Sequence, residues 1–442
     1  MGASTAEVVS LRRSVLDHWR KRASALVGSE AAVHAAMDPA IRRILEGKNI
    51  LLFKEMLHDI GFPAADDLAH YMTAGFPLAG EFPQTGVFPE QERTANFSVA
   101  DLWASAAQIR AEVIAACRGS GDLALDEELF ATTCEEAEKG WLRAPLSQVE
   151  LAPLGSWVPS RRFGIRQGGK LRAIDDYTVS RVNSALSTSE CIDPDDVDQI
   201  VANCRLHADA FVLPPGDRSN VSPFKGIDRH PDVEGDVLVG RLWDIASAYR
   251  NLAVRPSQRS LAVIAVWNPA LPKVELFQQL ALPFGASASV LSFNWVAVAL
   301  GAVLTRSLLI GSTGFYDDFT IIERGRLAQS ATESVEAFFG LLGWPLKPLP
   351  GFSQKPEPLG AVVDLTSAHA GEVHVGNRPA RVSELGAAIE EFLSADVVDP
   401  KVLERIRGRI LFSRSLCFGR FAGAALQNIN EFCSFKALGL GR

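Results

Sequence analysis

Apolar residues recur three and four positions apart over much of the first third of the chain. Periodic segments of this kind cover residues 100–117 and 126–139 and predict that residues 5–140 are mostly helical. A Gly- and Pro-rich passage at residues 75–91 interrupts the pattern, and neither a regular helix nor a central strand fits it. Residues 1–140 are therefore predicted to form a helical N-terminal extension.

From residue 156 the pattern changes to short β-prone runs separated by turns. The run WVPSRRFGIRQGGKLRAID predicts a β-hairpin whose turn is Gln167-Gly168-Gly169. This hairpin is the first strand signal of the chain.

Helical and strand-like spacing alternate in the remainder of the chain. Residues 328–342 predict an amphipathic helix, because their apolar positions are three and four apart, and residues 359–365 predict a short strand. Residues 382–432 predict two or more basic amphipathic helices. The predicted fold class is accordingly α+β.

Two apolar runs lead directly to acidic residues. Residues 237–243 predict a buried strand that ends just before Asp244, and the segment FYDDF predicts a strand, a tight turn and a strand around Asp317 and Asp318. A carboxylate at the end of a buried strand is costly unless a cation compensates it, and adjacent carboxylates raise each other's pKa. Three such carboxylates are the ligand set for two Mg²⁺ ions about 3.5 to 4 Å apart.

Each acid also has a purely structural interpretation. Asp244 could cap the N-terminus of a helix, and the pair Asp317 and Asp318 could belong to an ordinary hairpin turn. Taken singly, these interpretations are favoured, and only the joint occurrence of the acids with further motifs reverses that preference.

The longest uncharged stretch, residues 276–305, is long enough to cross a bilayer, since a helix needs about 20 apolar residues for that. Pro283 and Gly285 break its first part, and polar residues recur along the helix predicted to follow, namely Ser287, Ser289, Ser292 and Asn294. This pattern favours a half-buried helix of a soluble protein over a membrane span.

Composition is that of an ordinary globular protein of two or three subdomains: 442 residues, 47% hydrophobic and 22% charged. The six cysteines form neither a CxxC pair nor a Cys/His cluster, so neither a zinc site nor a disulfide framework is indicated. The N-terminus lacks the apolar core of a signal peptide. An intracellular location, in cytoplasm or nucleus, is expected.

The net charge of −8 argues against a uniformly basic surface, so any phosphate-binding surface must be local. Residues 140–182 contain seven basic and three acidic residues, and residues 401–442 contain eight basic and two acidic residues. On charge alone, a nucleic-acid groove and two solvated faces are equally compatible with these segments.

Several motifs in order resemble the reverse transcriptase family. DIASAY at residues 244–249 resembles the motif of the first catalytic strand, and FYDDF at residues 315–319 resembles the aromatic-x-Asp-Asp hairpin. LPFGAS at residues 282–287 resembles the Leu-Pro-x-Gly segment between them, and GKLRAIDDY at residues 169–177 resembles the fingers motif. LGW and LGAVVD, at residues 342–344 and 359–364, resemble the motifs that close the palm.

The resemblance implies an RNA-directed DNA polymerase that uses two metal ions. Asp244, Asp317 and Asp318 would be catalytic and would hold two Mg²⁺ ions, with Mn²⁺ as a possible substitute. Lys170 and Arg172 would bind the triphosphate of the incoming nucleotide.

The resemblance also implies roles for residues around the nucleotide. Tyr249 would lie beneath the sugar and exclude a 2′-hydroxyl group, which indicates a DNA product, while Phe284 and Gly285 would support the template and the nucleotide. A lysine that serves the departing pyrophosphate would be either Lys347 or Lys355.

A right-hand polymerase with fingers, palm and thumb and an antiparallel palm sheet is the fold that the resemblance implies. Residues 141–380 would form fingers and palm, and residues 381–442 a helical thumb or connection that tracks the template-primer duplex through phosphate contacts. GFPLAG, GWLRAPL, RAIDDYTVSRVN and ALPFGASASV are most similar to retroelement enzymes of the DIRS-like and dinoflagellate types. No RNase H-like nuclease pattern is expected within the chain.

The implied partners are a primed RNA or DNA template and dNTPs, with no membrane. Two alternatives stay open. One is an RNA-dependent RNA polymerase, against which Tyr249 argues. The other is a catalytically inactive or domesticated reverse-transcriptase-like protein that binds nucleic acid or a protein partner.

Overall fold

The fold is mixed α+β, with 53% of the residues helical and 20% in strands, and its sheets contain antiparallel strand pairs. It is known from a computed structural model. The structure describes residues 4–212, 235–395 and 400–415, together with residues 423, 426, 427, 429 and 430.

The α-helices of the described residues concentrate in the first third of the chain and in its last described part. They are α1 (Thr5–Ala36), α2 (Pro39–Ile44), α3 (Ile50–Asp59), α4 (Ala65–Ala74), α5 (Val99–Ala104), α6 (Ala106–Ala116), α7 (Leu123–Glu138), α8 (Gln148–Leu151), α9 (Val197–Val212), α10 (Ser287–Leu308), α11 (Ala328–Leu342), α12 (Pro379–Ser394) and α13 (Pro400–Ser415).

The strands are short and lie mostly in the middle of the chain. They are β1 (Gly80–Glu81), β2 (Glu90–Arg93), β3 (Leu142–Leu146), β4 (Pro159–Gln167), β5 (Lys170–Asp176), β6 (Leu186–Glu190), β7 (Leu238–Asp244), β8 (Val263–Asn268), β9 (Lys273–Gln279), β10 (Ser312–Phe315), β11 (Asp318–Arg324), β12 (Ala361–Asp364) and β13 (His374–Asn377).

A five-stranded sheet has the order β3-β9-β8-β4-β5, and all its neighbours are antiparallel except β8 and β4. Its edge hairpin, β4 and β5, is the one predicted from sequence. Gln167 pairs with Lys170, so the turn proper consists of Gly168 and Gly169, both with positive φ. The turn is therefore one residue shorter than predicted.

A separate three-stranded sheet, in the order β10-β11-β7, is antiparallel throughout. The strand predicted at residues 237–243 is β7, shifted by one residue so that it includes Asp244. The helix predicted at residues 328–342 is α11, with the same bounds. Both predictions rest on local apolar periodicity, which the fold preserves.

Helix α10 lies in the middle of the main hydrophobic core. Of the described helices, it is the one long and apolar enough to cross a membrane, and 72% of its most apolar window is buried inside the fold. Phe293 and Trp295 are fully buried, and Ser289 and Ser292 are buried with them. Packing within the protein therefore accounts for the apolar composition of this helix, in agreement with the sequence prediction.

The N-terminal extension and the β7-β10-β11 sheet share one hydrophobic core, which runs along the sequence from Leu16 to Trp344. Helix α1 also places a buried guanidinium group against this region. Arg12 donates to the carbonyl oxygens of Leu308 and Leu309 and pairs with Glu323 of β11 at 2.5 Å. Removing one partner of such a buried ion pair costs about 3 to 5 kcal/mol. The extension is thus an integral part of the fold.

Helices α12 and α13 pack around a small hydrophobic cluster of their own, which includes Leu385 and Ile406. The prediction of basic helices is correct for α13 but wrong for α12, which carries three glutamates and one arginine. The α12 face can be amphipathic without being basic, because amphipathicity depends on spacing and not on the sign of the polar charges. The last basic residues, Arg420, Lys436 and Arg442, lie outside the described residues.

Gly343 ends α11 in the left-handed conformation, with a φ of 74°, and a side chain there would overlap the carbonyl oxygen of Gly47. We expect Gly343→Ala to lower the free energy of unfolding by about 2 to 4 kcal/mol, because it combines backbone strain with a clash. Gly340→Ala is the matched control, since nothing lies within 4 Å of the added methyl group inside α11. It should raise that free energy by about 0.5 to 1 kcal/mol. Urea unfolding measures both, and equal stabilities would contradict the close packing.

Candidate active site

The three predicted acids lie where β7 and β11 meet. Asp244 is the last residue of β7 and Asp318 the first of β11, and the antiparallel register places them directly opposite each other. Asp317 precedes β11 in the two-residue turn that Phe315 and Asp318 close. Sequence reasoning placed both Asp317 and Asp318 in the turn, whereas Asp318 belongs to the strand. The structure therefore brings the three acids to one end of the sheet.

The turn between β10 and β11 has an uncommon backbone. Tyr316 adopts a φ of 55°, which is unusual for a bulky residue without a glycine's freedom. The residue that follows β7 holds this turn in place, because the backbone N–H of Ile245 donates to the carbonyl oxygen of Asp317 at 3.2 Å. Such strained conformations cost about 1 to 3 kcal/mol and concentrate at functional sites.

Partial burial and neighbouring negative charges make Asp317 and Asp318 harder to ionise. Burial raises the pKa of Asp318 to about 6, and the charges of Asp317 and Asp244 add to the effect. The pKa of Asp317 is also raised, first by burial and then by the charge of Asp244. A cation beside these carboxylates would oppose both shifts, because a positive charge favours the ionised form of a carboxyl group.

Lys347 supplies one such positive charge. Its ammonium group donates to Oδ2 of Asp244 at 2.6 Å, and its backbone N–H donates to the carbonyl oxygen of Asp244 at 2.8 Å. The second carboxylate oxygen, Oδ1, is buried and has no hydrogen-bond partner. One acceptor of Asp244 is therefore satisfied and the other is not.

The donor chemistry of the acids suits a divalent metal ion. Within the part of the chain that the structure describes, no group of three or more His, Cys, Asp or Glu side chains is already gathered around one point. The donors of Asp244, Asp317 and Asp318 are nevertheless all carboxylate oxygens, which Mg²⁺ prefers. The unpartnered Oδ1 of Asp244 and the raised pKa values of the other two acids are features that a bound divalent cation would compensate.

An aromatic cluster stands beside the acids. The ring centroid of Tyr249 lies 4.9 Å from that of Phe284 and 5.4 Å from that of Phe293. The pKa of Tyr249 is raised to about 12, by burial and then by the charge of Asp317. Tyr249 is therefore held by ring packing within electrostatic range of the acids.

The LPFG segment packs against the GKLRAIDDY segment, which includes β5. Gly285 has a φ of 97°, and a Cβ there would overlap the carbonyl oxygen of Asp175. The side chain of Asn183 donates to the carbonyl oxygen of Gly285 at 2.9 Å and accepts from the backbone N–H of Ser287 at 2.8 Å. Phe284 and Gly285 are thereby fixed next to β5.

Of the two predicted triphosphate ligands, Arg172 lies close enough to Asp317 to act on it electrostatically. Its charge lowers the pKa of Asp317, opposing the effects of burial and of Asp244. Lys170 is exposed at the tip of the same hairpin, two residues earlier and so on the same face of β5. Both side chains thus project from one strand face.

Lys355 does not reach the acids. Its ammonium group pairs with Oδ2 of Asp364 at 2.7 Å, and this contact lowers the pKa of Asp364. Of the two lysines left open by the sequence, Lys347 is therefore the one at the site.

A buried polar network behind the site was missed by sequence reasoning. Arg162 forms a two-pronged pair with Asp175, at 2.7 and 3.1 Å, and Glu136 accepts from both Arg162 and Arg250 at 2.8 Å. The amide of Gln279 donates to Asp175 at 3.0 Å. Asp175 stands inside the GKLRAIDDY motif, and Arg162 lies 13 residues earlier on the other strand of the predicted hairpin. Gln279 lies 104 residues from Asp175, and no local pattern indicates that contact.

No protein-family model matches the chain, and no curated protein matches it.

Because the pKa of Asp318 is raised in the folded protein, we expect the ionised Asp318 to lower the free energy of unfolding at neutral pH. Between about pH 4 and pH 6 the Asp318 carboxyl binds more protons in the folded state than in the unfolded chain, so its own contribution to the free energy of unfolding falls as the pH rises through this range. In EDTA, Asp318→Asn should therefore be more stable than the wild type at about pH 7, and the advantage should vanish near pH 4.

Asp364→Asn is the matched control for this measurement, because the pKa of Asp364 is shifted down. It should lose a small amount of stability at neutral pH. Urea unfolding across the pH range measures both variants, and a destabilised Asp318→Asn at neutral pH would contradict the assigned charge repulsion.

Proposed function

We propose that the chain is an RNA-directed DNA polymerase of a retroelement, with a right-hand polymerase fold in which β7, β10 and β11 belong to the palm. The observation that carries the proposal is the register of β7 and β11, which sets Asp244 opposite Asp318 with Asp317 in the adjoining turn. The order of the motifs in the sequence supports it independently.

Asp244, Asp317 and Asp318 would hold two Mg²⁺ ions, or Mn²⁺, which when bound would supply positive charge at the reacting phosphate and favour an ionised primer hydroxyl. The buried, unpartnered Oδ1 of Asp244 and the partial burial of all three acids support this ligand set. The chain's own part is to keep these oxygens at one end of a rigid sheet.

The reaction is addition of a dNTP to a primer 3′-hydroxyl on a primed RNA or DNA template. The primer oxygen bonds to the α-phosphate while the bond from that phosphorus to the bridging oxygen breaks, and pyrophosphate leaves. Lys347 is the candidate for stabilising or protonating the pyrophosphate, since its ammonium group is half-exposed at the edge of the acids. Lys355 has no comparable position.

The fingers hairpin would bind the triphosphate. Arg172 and Lys170 lie on one face of β5, and Arg172 is within electrostatic range of Asp317. A forked guanidinium and a point-like ammonium are both suited to phosphate oxygens. The buried pairs of Arg162 with Asp175 and Glu136 keep the base of this hairpin fixed.

Tyr249 would form the plate beneath the sugar. Phe284 and Phe293 pack on its ring, so that the ring cannot move aside to admit an extra 2′-hydroxyl group. Helix α13, with four arginines and one lysine against one glutamate, would contact the phosphates of the template-primer duplex. The enzyme would act inside the cell, in cytoplasm or nucleus, and no membrane is implied.

Primer extension tests the catalytic acids. We expect Asp244→Asn and Asp317→Asn each to lower dNTP incorporation with Mg²⁺ by on the order of 100-fold or more, because each removes a charge that the reacting centre needs. Asp364→Asn, a change at an exposed acid paired with Lys355, is the matched control and should retain wild-type activity.

The same assay distinguishes the alternatives. Undiminished activity in either active-site variant would refute the assignment of the acids. Salt-dependent binding of primed template by the wild type without any incorporation would support a domesticated binding protein. Preferential incorporation of NTPs would support an RNA polymerase.

Sugar discrimination tests the role of Tyr249. Tyr249→Ala should raise the incorporation of rNTPs relative to dNTPs by roughly tenfold or more, because it removes the ring that excludes the 2′-hydroxyl. Tyr249→Phe keeps the ring and should keep the wild-type ratio. Single-nucleotide incorporation with matched dNTP and rNTP measures the ratio, and an unchanged ratio in Tyr249→Ala would contradict the role.

A further inference from the structure

A lysine of the N-terminal extension is buried directly behind the candidate active site. Lys48, in the loop between α2 and α3, is 4% exposed. Its ammonium group donates to Oδ1 of Asn251 at 3.2 Å and to the carbonyl oxygen of Gly343 at 3.0 Å, and it lies 4.0 Å from the ring centroid of Trp344. It therefore joins the extension to two segments of the palm region.

Burying this lysine is costly. Burial lowers the pKa of Lys48 to about 7. Its contacts with Asn251, Gly343 and Trp344 are to a side-chain amide, a carbonyl oxygen and a ring, none of which carries a full negative charge. The desolvation cost is therefore not offset by an ion pair, unlike that of Arg12, which pairs with Glu323. A methionine would fill the same space at lower cost, and what the ammonium group adds is its hydrogen bonds to Asn251 and Gly343.

The first contact of Lys48 acts on the loop that follows Asp244. Asn251, whose side-chain oxygen accepts from Lys48, uses its amide group to donate to the carbonyl oxygens of Ala246 and Ala248, at 2.9 and 3.2 Å. These carbonyls belong to the turn that carries the chain from β7 to Tyr249. Lys48 thus holds the amide of Asn251 in the orientation that closes this turn.

The second contact acts on the segment that leads to Lys347. Gly343 and Trp344 begin this segment, and it runs beside the chain after β7, where the N–H of Ala246 donates to the carbonyl oxygen of Pro345 at 2.8 Å. One step further, the backbone N–H of Lys347 donates to the carbonyl oxygen of Asp244. Lys48 is therefore anchored to both of the segments whose pairing places Lys347 against Asp244.

The loop that carries Lys48 is itself firmly held. The carboxylate of Glu30 accepts the backbone N–H groups of Ile50 and Leu51, each at 2.8 Å, and thereby caps α3. The side chain of Asn49 donates to the carbonyl oxygen of Leu341 at 2.6 Å, and the backbone of Gly47 packs on Gly343. The backbone around Lys48 is thus held from both sides, by Glu30 of the extension and by Leu341 and Gly343 at the end of α11.

We propose that Lys48 is a positioning residue through which the N-terminal extension fixes the spacing between Asp244 and Lys347. The extension is then a component of the catalytic unit and not an appended module. This inference rests on the proposed polymerase function, because it assigns the extension a part in that reaction. Lys48 touches no reacting group and acts through Asn251 and Gly343.

The experiment compares Lys48→Met with Lys54→Met in the full-length chain. Lys48→Met keeps the length of the side chain and removes its charge and donors, whereas Lys54 pairs with Asp66 on the outside of the same extension. In single-turnover incorporation, Lys48→Met should lower the rate constant roughly tenfold or more, while the KM for dNTP and the fraction of active enzyme stay within about threefold of wild type. Lys54→Met should match the wild type.

Hydrogen exchange of backbone amides provides a readout that does not depend on polymerase activity. In Lys48→Met, exchange should become faster at the amides of Ala246 and Lys347 and stay unchanged in β4 and β5. If Lys48→Met does not fold, Asn251→Ala takes its place. It removes the first contact of Lys48 together with the bonds from Asn251 to Ala246 and Ala248, keeps the contact with Gly343, and should release Ala246 more than Lys347.

The outcomes separate the two proposals. A wild type without incorporation, combined with faster exchange at Ala246 and Lys347 in the variant, would refute the polymerase and support the positioning role. An active wild type with an equally fast Lys48→Met would overturn the role of Lys48. A lower active fraction at an unchanged rate constant, or unchanged exchange at both amides, would also overturn it.

Discussion

The constraint on which the site depends is the pairing of β7 with β11, which holds the partly buried carboxylates of Asp244 and Asp318 opposite each other. Negative charges on two paired residues repel each other, and partial burial removes some of the water that would otherwise screen them. The fold tolerates the repulsion because Asp244 and Asp318 are backbone-paired strand residues and cannot move apart without breaking the sheet. Lys347 offsets part of it through a 2.6 Å contact with Asp244. The pKa values of Asp317 and Asp318 stay raised, which shows that Lys347 does not cancel all of the repulsion and the cost of burial.

Two sets of buried polar contacts keep the surrounding segments in register with this sheet. On one side, Glu136 joins Arg250, just after Tyr249, to Arg162 at the base of the β4-β5 hairpin. On the other side, Lys48 joins the loop after Asp244 to the segment that carries Lys347. Both sets bring charged groups into the interior, where a group that loses its partner is heavily penalised. They therefore favour a single arrangement of the elements around the acids.

The N-terminal extension packs into the same hydrophobic core as the β7-β10-β11 sheet, and its composition does not reveal this. Its apolar residues recur three and four positions apart, as in any helical domain. Its predicted helices are largely correct, since residues 126–139 correspond to α7 and residues 100–117 to α5 and α6. Yet Leu16 and Trp19 belong to the same cluster as Phe319 and Trp344. A hydrophobic pattern shows which face of a helix is buried but not which element buries it. The boundary predicted near residue 140 is thus not a boundary of the hydrophobic core.

The sequence by itself determined the local elements and the residue types of the site. The spacing of apolar residues predicted β7 and α11, and the motifs singled out Asp244, Asp317 and Tyr249, because these signals lie within a few neighbouring residues. Only the tertiary structure decided which lysine reaches the acids, since Lys347 meets Asp244 across 103 residues of chain. It alone also revealed Lys48, whose partners lie far along the chain. Contacts between distant residues depend on how the elements pack, and no local pattern encodes that packing.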